Sequence, residues 1–345
     1  MGVEYTSVQW NRQKKYYDLA LVGGVVLFLI AFASVTKNIF PFITDEILII
    51  RTFGVAAFVL LHIILCIGPL CRLNPKFLPL LYNRRHAGVT CFLLALVHAV
   101  LVVATYHAGS DTNPILSIFA SSPLTGSVAG VPFQPFGFFA LIILFLLAAT
   151  SHDFWLANLS APVWKSLHML VYVAYALLLL HVTFGALQGE ASPVYVVAMT
   201  VGFIIVIALH VTAARNEIAI DREDQSPAND DFVDVCAVAE IPDNRARIIC
   251  LSGERVAVFK YDGKISAVSN VCQHQNGPLG EGKVLSGCIT CPWHGYQYEP
   301  ETGASPPPFV EKVPTFNVGV KNGRVFIHPK PNPAGTKAEP ALIEE

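Results

Sequence analysis

The sequence predicts a membrane all-α six-helix bundle followed by a small all-β domain. The 345 residues are 53% hydrophobic and 14% charged, and the long apolar runs all lie before position 214. Beyond it, short β-branched and aromatic runs alternate with turn residues such as Asp262-Gly263. The predicted parts are a membrane domain over 1–213, a linker over 214–231, a β domain over 232–330 and a Pro-rich disordered tail over 331–345.

Six apolar segments approach the roughly 20 residues that a helix needs to cross a bilayer. The fourth is short, and the first follows Lys14 and Lys15, so that a signal peptide is its alternative. We therefore expect an integral membrane protein with six spans. The predicted spans are 19–36, 52–70, 87–106, 136–150, 165–186 and 194–213.

The positions of the basic residues predict the orientation of these spans. Lys and Arg lie before the first span, between the second and third, before the fifth and after the sixth, whereas the 107–135 loop has none. Both termini and the β domain are therefore expected in the cytoplasm. The net charge of −2 and the lack of a basic cluster argue against nucleic acid as a partner, and membrane lipid is the expected surrounding of the spans.

Histidines inside the predicted spans are candidate haem ligands, because an ionisable side chain in a bilayer is costly. His98 in the third span and His181 in the fifth reach similar depths at about 1.5 Å per residue. Two neutral imidazoles that face each other across a helix bundle suit the axial positions of a b-type haem. An interhelical hydrogen bond or a buried structural histidine is the alternative for each. The candidate ligands are His98, His181, His168 and, with the weakest support, His86.

Short motifs around these histidines resemble the ferric reductase-like transmembrane domain. They are Tyr-Asn-Arg-Arg-His-Ala-Gly at 82–88 with His98, and Trp-Lys-Ser-Leu-His at 164–168 with His181. Over about 45–213 the likeness is nearest to the haem-bearing membrane subunit of the bacterial periplasmic methionine sulfoxide reductase system. It implies one or two b-type haems, transmembrane electron transfer and a bacterial inner membrane.

Two further sequence features bear on cofactor binding. Arg84 and Arg85 are candidate partners of haem propionates, with anchoring on the cytoplasmic side as the alternative. No G-x-G-x-x-G occurs, so a Rossmann-type dinucleotide site has no support.

Two segments of the β domain carry the most specific pattern in the chain. Cys-Gln-His at 272–274 and Cys-Pro-Trp-His at 291–294 each supply one thiolate and one imidazole. Two cysteines on one iron and two histidines on the other form a Rieske [2Fe–2S] centre. A Cys₂His₂ zinc site is the alternative, although zinc sites more often pair like ligands at short spacing. The predicted cluster ligands are Cys272, His274, Cys291 and His294.

Residues 232–328 resemble the Rieske ferredoxin domains, with informative departures from the respiratory type. The loop cysteines that form a disulfide in that type have no counterparts, and Cys288 is expected to be a buried strand cysteine. Tyr296 stands where the high-potential type has serine, although Tyr298 could still donate to the cluster. Fewer hydrogen bonds to the sulfurs lower the potential, so a ferredoxin-like, lower-potential cluster is expected.

Together the two halves predict an oxidoreductase that acts as an electron-transfer component. Electrons would pass from a cytoplasmic donor, a reductase or a ferredoxin, through the [2Fe–2S] cluster to b-type haem and on to an outer-side or membrane acceptor. The alternatives are quinol-linked transfer in the reverse direction and a redox or haem sensor without turnover. No catalytic acid or base is predicted, because the cofactors carry the chemistry.

Overall fold

The computed structural model describes residues 12–109, 112–119, 132–159, 161–189, 192–224, 232–274, 276–293 and 295–343. These residues divide into two compact units. One comprises Arg12–Gly68 and Asn83–Leu209, and the other comprises Pro69–Tyr82 and His210–Glu345.

The N-terminal part of the chain is helical, as its apolar runs predict. A π-helical turn, Val103–His107, continues the third helix. The helices are α1 (Arg12–Ile39), α2 (Asp45–Leu73), α3 (Arg84–Val102), α4 (Pro114–Phe119), α5 (Gln134–Ala149), α6 (Asp153–Asn158), α7 (Ala161–Met169), α8 (Val171–Phe184) and α9 (Pro193–Arg222).

Within the described residues, five helical segments are long and apolar enough to cross a membrane. The helix at the predicted fourth span, α5, has 16 residues and is about 24 Å long, short of a hydrocarbon core of about 30 Å. The count of six spans and their orientation therefore stay predictions. The five long segments are Lys14–Ile39, Asp45–Leu73, Arg84–His107, Val163–Gly189 and Pro193–Arg222.

The helical core joins α2, α3, α8 and α9 through small and aliphatic side chains, including the buried Leu61, Cys91 and Val206. Ala140 and Ala174 are fully buried, which lets α5 and α8 approach closely. Large apolar side chains such as Leu27 and Val194 are exposed, as a lipid-facing surface requires.

The C-terminal part of the chain is a β domain of three small antiparallel sheets. Their strand orders are β11-β4-β3-β2, with β8 also paired to β4, then β1-β10-β9 and β5-β6-β7. Two buried clusters fill the domain. The strands are β1 (Val233–Ala237), β2 (Arg245–Leu251), β3 (Glu254–Tyr261), β4 (Lys264–Ser269), β5 (Lys283–Leu285), β6 (Cys288–Thr290), β7 (Gln297–Tyr298), β8 (Thr315–Phe316), β9 (Val318–Lys321), β10 (Arg324–Ile327) and β11 (Ala341–Leu342).

The hairpin turn predicted at Asp262-Gly263 is confirmed. It joins β3 to β4, and the two residues have φ angles of 43° and 69°. Positive φ at both central positions matches the right-handed twist of the flanking strands.

The predicted linker begins as helix, because α9 continues to Arg222. Arg255 in β3 stabilises this extension. Its guanidinium donates to both carboxylate oxygens of Asp221, at 2.7 and 2.8 Å, and to the carboxylate of Glu217. Hydrogen bonding to these carboxylates raises the pKa of Arg255, whereas burial opposes the shift. The boundaries 214 and 231 stay predictions.

The expectation of a disordered tail over 331–345 is wrong for its described residues. Ala341 and Leu342 form β11, which pairs with β4. Backbone N–H groups of Asn332 and Ala338 donate to Thr315 and Glu301, at 2.8 Å in each case. Proline has no backbone N–H to donate, but the donors in these bonds are non-proline residues of the tail, so the prolines do not prevent them.

Candidate metal centres

Two loops of the same backbone form carry Cys272 and Cys291. In the first loop the N–H of Asn276 donates to the carbonyl of Cys272 at 2.7 Å, and in the second the N–H of Gly295 donates to that of Cys291 at 3.0 Å. The closing residues have φ angles of 57° and 77°, which Asn and Gly adopt most readily. Each cysteine N–H donates to the carbonyl five residues later, at 2.9 and 2.8 Å. The two thiols therefore occupy equivalent loop positions.

Both thiols are buried, and a glycine lets the loops approach each other. Cys272 is 0% exposed and Cys291 is 1% exposed. A Cβ on Gly277 would lie 2.8 Å from Sγ of Cys291, closer than real Cβ contacts allow. A side chain at this position would therefore displace the second sulfur.

The hydroxyl of Tyr298 lies within hydrogen-bond reach of the Cys272 sulfur. Its oxygen lies 3.4 Å from Sγ of Cys272 and accepts the N–H of Gln273 at 3.1 Å. That oxygen accepts a hydrogen bond through a lone pair, so its own O–H remains available to donate to the sulfur. Burial, followed by the negative charge of Cys272 and Cys291, raises the pKa of the Tyr298 hydroxyl, so the donor keeps its proton.

Tyr296 and Glu311 hold the ring of His274, and sequence reasoning missed this arrangement. The imidazole stacks on the Tyr296 ring with centroids 4.7 Å apart and planes at 6°. The Tyr296 hydroxyl donates to the Glu311 carboxylate, which also accepts the N–H of Val310 at 3.1 Å. Burial alone would raise the pKa of Glu311, but these hydrogen bonds lower it. No local sequence feature marks Glu311, because the loop that carries it is distant from both ligand segments.

The fourth predicted ligand, His294, lies outside the described residues. Among the residues that the structure does describe, no three His, Cys, Asp or Glu side chains are grouped to hold a metal ion. The fit to a [2Fe–2S] group therefore rests on the two buried sulfurs in equivalent loops and on the close approach at Gly277. These features match a cluster that takes two thiolates on one iron.

Cys288 lies in β6 and is buried, as predicted. Burial is the main cause that raises the pKa of its thiol to about 11. A thiol of that pKa is protonated at neutral pH, which suits a buried strand cysteine.

His98 and His181 face each other in the helical unit. Their ring centroids are 6.4 Å apart, and the ring planes are nearly perpendicular, at 84°. Nδ1 of His98 lies 2.9 Å from the carbonyl of Ile50, and Nδ1 of His181 lies 3.0 Å from that of Phe133. A carbonyl can only accept, so each Nδ1 carries the proton and each Nε2 carries the lone pair.

The separation of these rings fits two axial ligands of one haem. An imidazole nitrogen lies about 2 Å from the metal it binds, so the space between His98 and His181 is of the size at which both would hold one haem iron through Nε2. A carbonyl bond at the other ring nitrogen is the usual support of a ligating histidine. His98 and His181 therefore fit the binding of a haem.

His86 has a carboxylate partner that the sequence reasoning missed. Its Nδ1 lies 2.9 Å from Oδ1 of Asp18, and the Asn83 side chain donates to the same carboxylate. An aspartate next to a predicted span is costly without such a partner. The position of Asp18 just before the first predicted span is therefore the sequence feature that could have revealed this contact.

His168 lies against its own helix. Its ring stacks on Trp164 at 3.8 Å, its Nδ1 lies 3.0 Å from the Trp164 carbonyl, and its Nε2 lies 3.5 Å from Oγ of Ser151. Arg85 donates to the Ser151 carbonyl at 3.3 Å, and the Arg84 guanidinium lies beside Gly68. His86 and His168 thus have separate partners, unlike the facing pair His98 and His181.

Comparison with known families confirms the predicted fusion. Residues 53–179 match the ferric reductase like transmembrane component, and residues 231–317 match the Rieske [2Fe-2S] domain. The chain therefore has a helical region with candidate membrane spans and a β-sheet Rieske domain, a combination for membrane electron transfer.

Three relatives, all of them ferredoxins, each match less than a third of this chain. The ferredoxin component of the alkene monooxygenase system of Xanthobacter autotrophicus is 31% identical over 104 residues, which are 30% of this chain and 85% of the relative. The 3-phenylpropionate/cinnamic acid dioxygenase ferredoxin subunit of Photorhabdus laumondii is 35% identical over 95 residues, 27% of this chain and 90% of the relative. The solved Sphingomonas yanoikuyae B1 ferredoxin is 28% identical with a TM-score of 0.27, covering 28% of this chain and 98% of that chain.

Proposed function

The chain belongs to the Rieske [2Fe–2S] domain family and joins that domain to a ferric reductase-like transmembrane component; from this premise we propose that it carries electrons across a membrane. In the proposed direction, a cytoplasmic donor supplies electrons to the Rieske domain. They pass to b-type haem in the helical unit and leave to an acceptor in the membrane or on its outer side. The protein is thus proposed as the membrane component of an oxidoreductase.

The observation that carries this proposal is the facing pair His98 and His181. Their rings stand at the separation that two axial ligands need, and each Nδ1 is bonded to a backbone carbonyl. An interhelical hydrogen bond alone, the alternative, accounts for the Nδ1 contact of each ring but gives no reason for the two rings to face each other. Because a main-chain carbonyl accepts from Nδ1 of each ring, Nε2 is the nitrogen that keeps a lone pair for a metal.

When bound, haem and a [2Fe–2S] cluster each accept and release one electron. The protein residues hold and tune these groups. Cys272 and Cys291 would bind as thiolates, with His274 and His294 as the imidazole ligands. Tyr298 donates toward the Cys272 sulfur, and the Tyr296 ring fixes the plane of His274. The buried surroundings exclude water from the sulfurs.

The number of haems is proposed as one at His98 and His181, with His168 and His86 as the ligands that a second would use. His86 contacts Asp18 and His168 contacts Trp164, so these two histidines have separate partners, which supports placing the first haem at His98 and His181. Arg84 and Arg85 are the proposed propionate partners. A haem-to-protein ratio of one or two separates the two arrangements.

The proposed donor is a soluble reductase or ferredoxin. Two relatives of the Rieske part are ferredoxin components of oxygenase systems, which supports a soluble redox partner of this kind. Six spans, with both termini and the Rieske domain in the cytoplasm of a bacterium, remain the proposed arrangement. The basic residues on one side of the predicted spans support it.

The proposal is tested by following haem reduction after a reductant is given to the Rieske domain alone. The full-length protein in liposomes receives an NADH-driven ferredoxin reductase on one side, and haem absorbance is recorded. We expect reduction in the parent protein and none in Cys291→Ala, although dithionite still reduces the haem of that variant. Equal haem reduction by the enzyme in both proteins would refute electron entry through the Rieske domain. Reduction of the cluster by a quinol would instead support the reverse direction.

A further inference from the structure

The surroundings of His98 are repeated around His181. The Ile50 carbonyl, which accepts from His98, belongs to α2, and the Phe133 carbonyl, which accepts from His181, belongs to the residue that caps α5. In both cases the acceptor precedes its histidine by the same interval in the sequence. The two helix pairs α2–α3 and α5–α8 therefore hold their histidines in the same way.

A glycine completes each set. A Cβ on Gly54 would lie 2.8 Å from Nδ1 of His98, and a Cβ on Gly137 would lie 2.7 Å from Nδ1 of His181. Each glycine follows its acceptor residue by four positions. Ile50, Gly54 and His98 thus correspond to Phe133, Gly137 and His181.

The spacing of four has a geometric reason. A helix carbonyl points along the axis toward the residue four positions later. A side chain that approaches this carbonyl from a neighbouring helix must therefore pass over that residue. A Cβ there would force the imidazole to shift, so glycine is what permits the bond at the observed ring position.

Other histidines of the helical unit provide the contrast. His62 and His168 place Nδ1 at 2.9 and 3.0 Å from the carbonyls of Phe58 and Trp164, four residues earlier in their own helices. That bond needs no approach to a neighbouring helix. Bonds between helices at Nδ1 thus belong to the facing pair, among the four histidines compared.

We propose that Gly54 and Gly137 are positioning residues for the two proposed haem ligands. By lacking a side chain, each glycine lets one imidazole reach a backbone carbonyl of the adjacent helix. That bond fixes Nδ1 as the protonated nitrogen and leaves Nε2 with the lone pair that would bind the haem iron. The inference rests on the proposed haem site at His98 and His181, which it deepens.

The test compares Gly54→Ala and Gly137→Ala with the parent full-length protein. The readouts are the haem-to-protein ratio, the g values of the ferric haem by EPR and its reduction potential. Loss of a residue that supports a metal ligand weakens metal binding roughly 10–100-fold, and a loss in this range is expected for both variants. The remaining haem should show shifted g values, because the ring must turn or move away from the carbonyl.

Two glycines provide matched controls in the same helical unit. A Cβ on Gly88, in the same helix as His98, would meet nothing within 4 Å. A Cβ on Gly202 would lie 3.1 Å from the ring of His62, which is not a proposed ligand. We expect Gly88→Ala and Gly202→Ala to keep the parent g values. Since alanine favours helix over glycine, helix propensity cannot explain a loss in the other two variants.

A double variant keeps the test decisive if Gly54→Ala does not accumulate. In a His98→Ala background the ring that meets the added methyl group is gone. The yield of folded chain, followed by the [2Fe–2S] signal, should then be the same with Gly or Ala at position 54. An equal loss of yield in both backgrounds would assign the glycine to helix packing alone and overturn the inference.

The outcomes separate this inference from the proposed function. Parent haem content, g values and potential in both Gly54→Ala and Gly137→Ala would overturn the positioning role and leave the haem site standing. A parent protein without haem, or full haem in the double variant His98→Ala/His181→Ala, would overturn the proposed site itself.

Discussion

Replacement of Tyr298 by Phe removes the hydroxyl that lies 3.4 Å from Sγ of Cys272. Reduction adds negative charge to the proposed cluster and its sulfurs, so the hydrogen bond is stronger in the reduced state than in the oxidised state. Loss of the bond should therefore lower the reduction potential of the [2Fe–2S] cluster.

The size of the shift follows from the strength of the bond. A hydrogen bond to a charged group contributes about 1.5–3 kcal/mol. If the strength of this hydrogen bond changes by about half on reduction, the bond stabilises the reduced state over the oxidised state by ~0.75–1.5 kcal/mol. For a one-electron couple this free energy corresponds to a potential shift of roughly 30–65 mV. The ring itself stays, because Phe fills the same buried site beside Tyr296.

The assay is a potentiometric titration of the cluster EPR signal in the full-length protein. Tyr261→Phe is the matched control, since the hydroxyl of this buried tyrosine bonds to Ser266 at 2.8 Å and not to a sulfur. We expect the lower potential in Tyr298→Phe alone. An unchanged or raised potential in Tyr298→Phe, or the same decrease in the control, would refute the reasoning.

Three further changes have defined outcomes. Cys291→Ala should abolish the cluster EPR signal and keep haem absorbance, whereas His181→Ala should do the converse; joint loss of both signals from either variant would contradict independent sites. Arg255→Ala removes the bonds to Asp221 and Glu217 and should lower the free energy of unfolding of the Rieske part by about 1 kcal/mol after allowance for solvent exposure. Arg324→Ala should have a smaller effect, because its ion pair with Asp234 is more exposed. Urea unfolding followed by cluster circular dichroism measures both. Because the folded pKa of Glu311 is lowered, its contribution to stability is complete above the ordinary pKa of about 4.3 and is lost as the pH falls through the folded value. Stability of the Rieske part should therefore decline less steeply below about pH 4.3 in Glu311→Gln than in the parent protein, and equal slopes would exclude this role.

Features set by short-range chemistry could be predicted from the sequence. The Asp262-Gly263 turn requires only two residues with positive φ between alternating strands, and the strand over Arg324–Ile327 follows from a β-branched and aromatic run. The spacing of the two ligand segments predicted two loops, and Cys272 and Cys291 do lie at equivalent loop positions, whereas their role as cluster ligands stays a prediction. The apolar runs likewise located the long helices.

Features that depend on contacts between distant segments could not be predicted. The tail pairs with β4 through Ala341 and Leu342, although its proline content indicated disorder. Asp18 meets His86, and the Ile50 carbonyl meets His98, only after separate helices have packed. Periodicity assigns a residue to a face but does not specify which backbone group lies opposite.

The most direct test of the central claim is a redox titration of the purified full-length protein, with optical and EPR signals followed together. We expect a b-type haem spectrum and a Rieske signal from the same chain, with the cluster midpoint below that of the haem. A cluster midpoint well above the haem would reverse the proposed direction of electron flow. The absence of any b-type spectrum would contradict transmembrane electron transfer through His98 and His181.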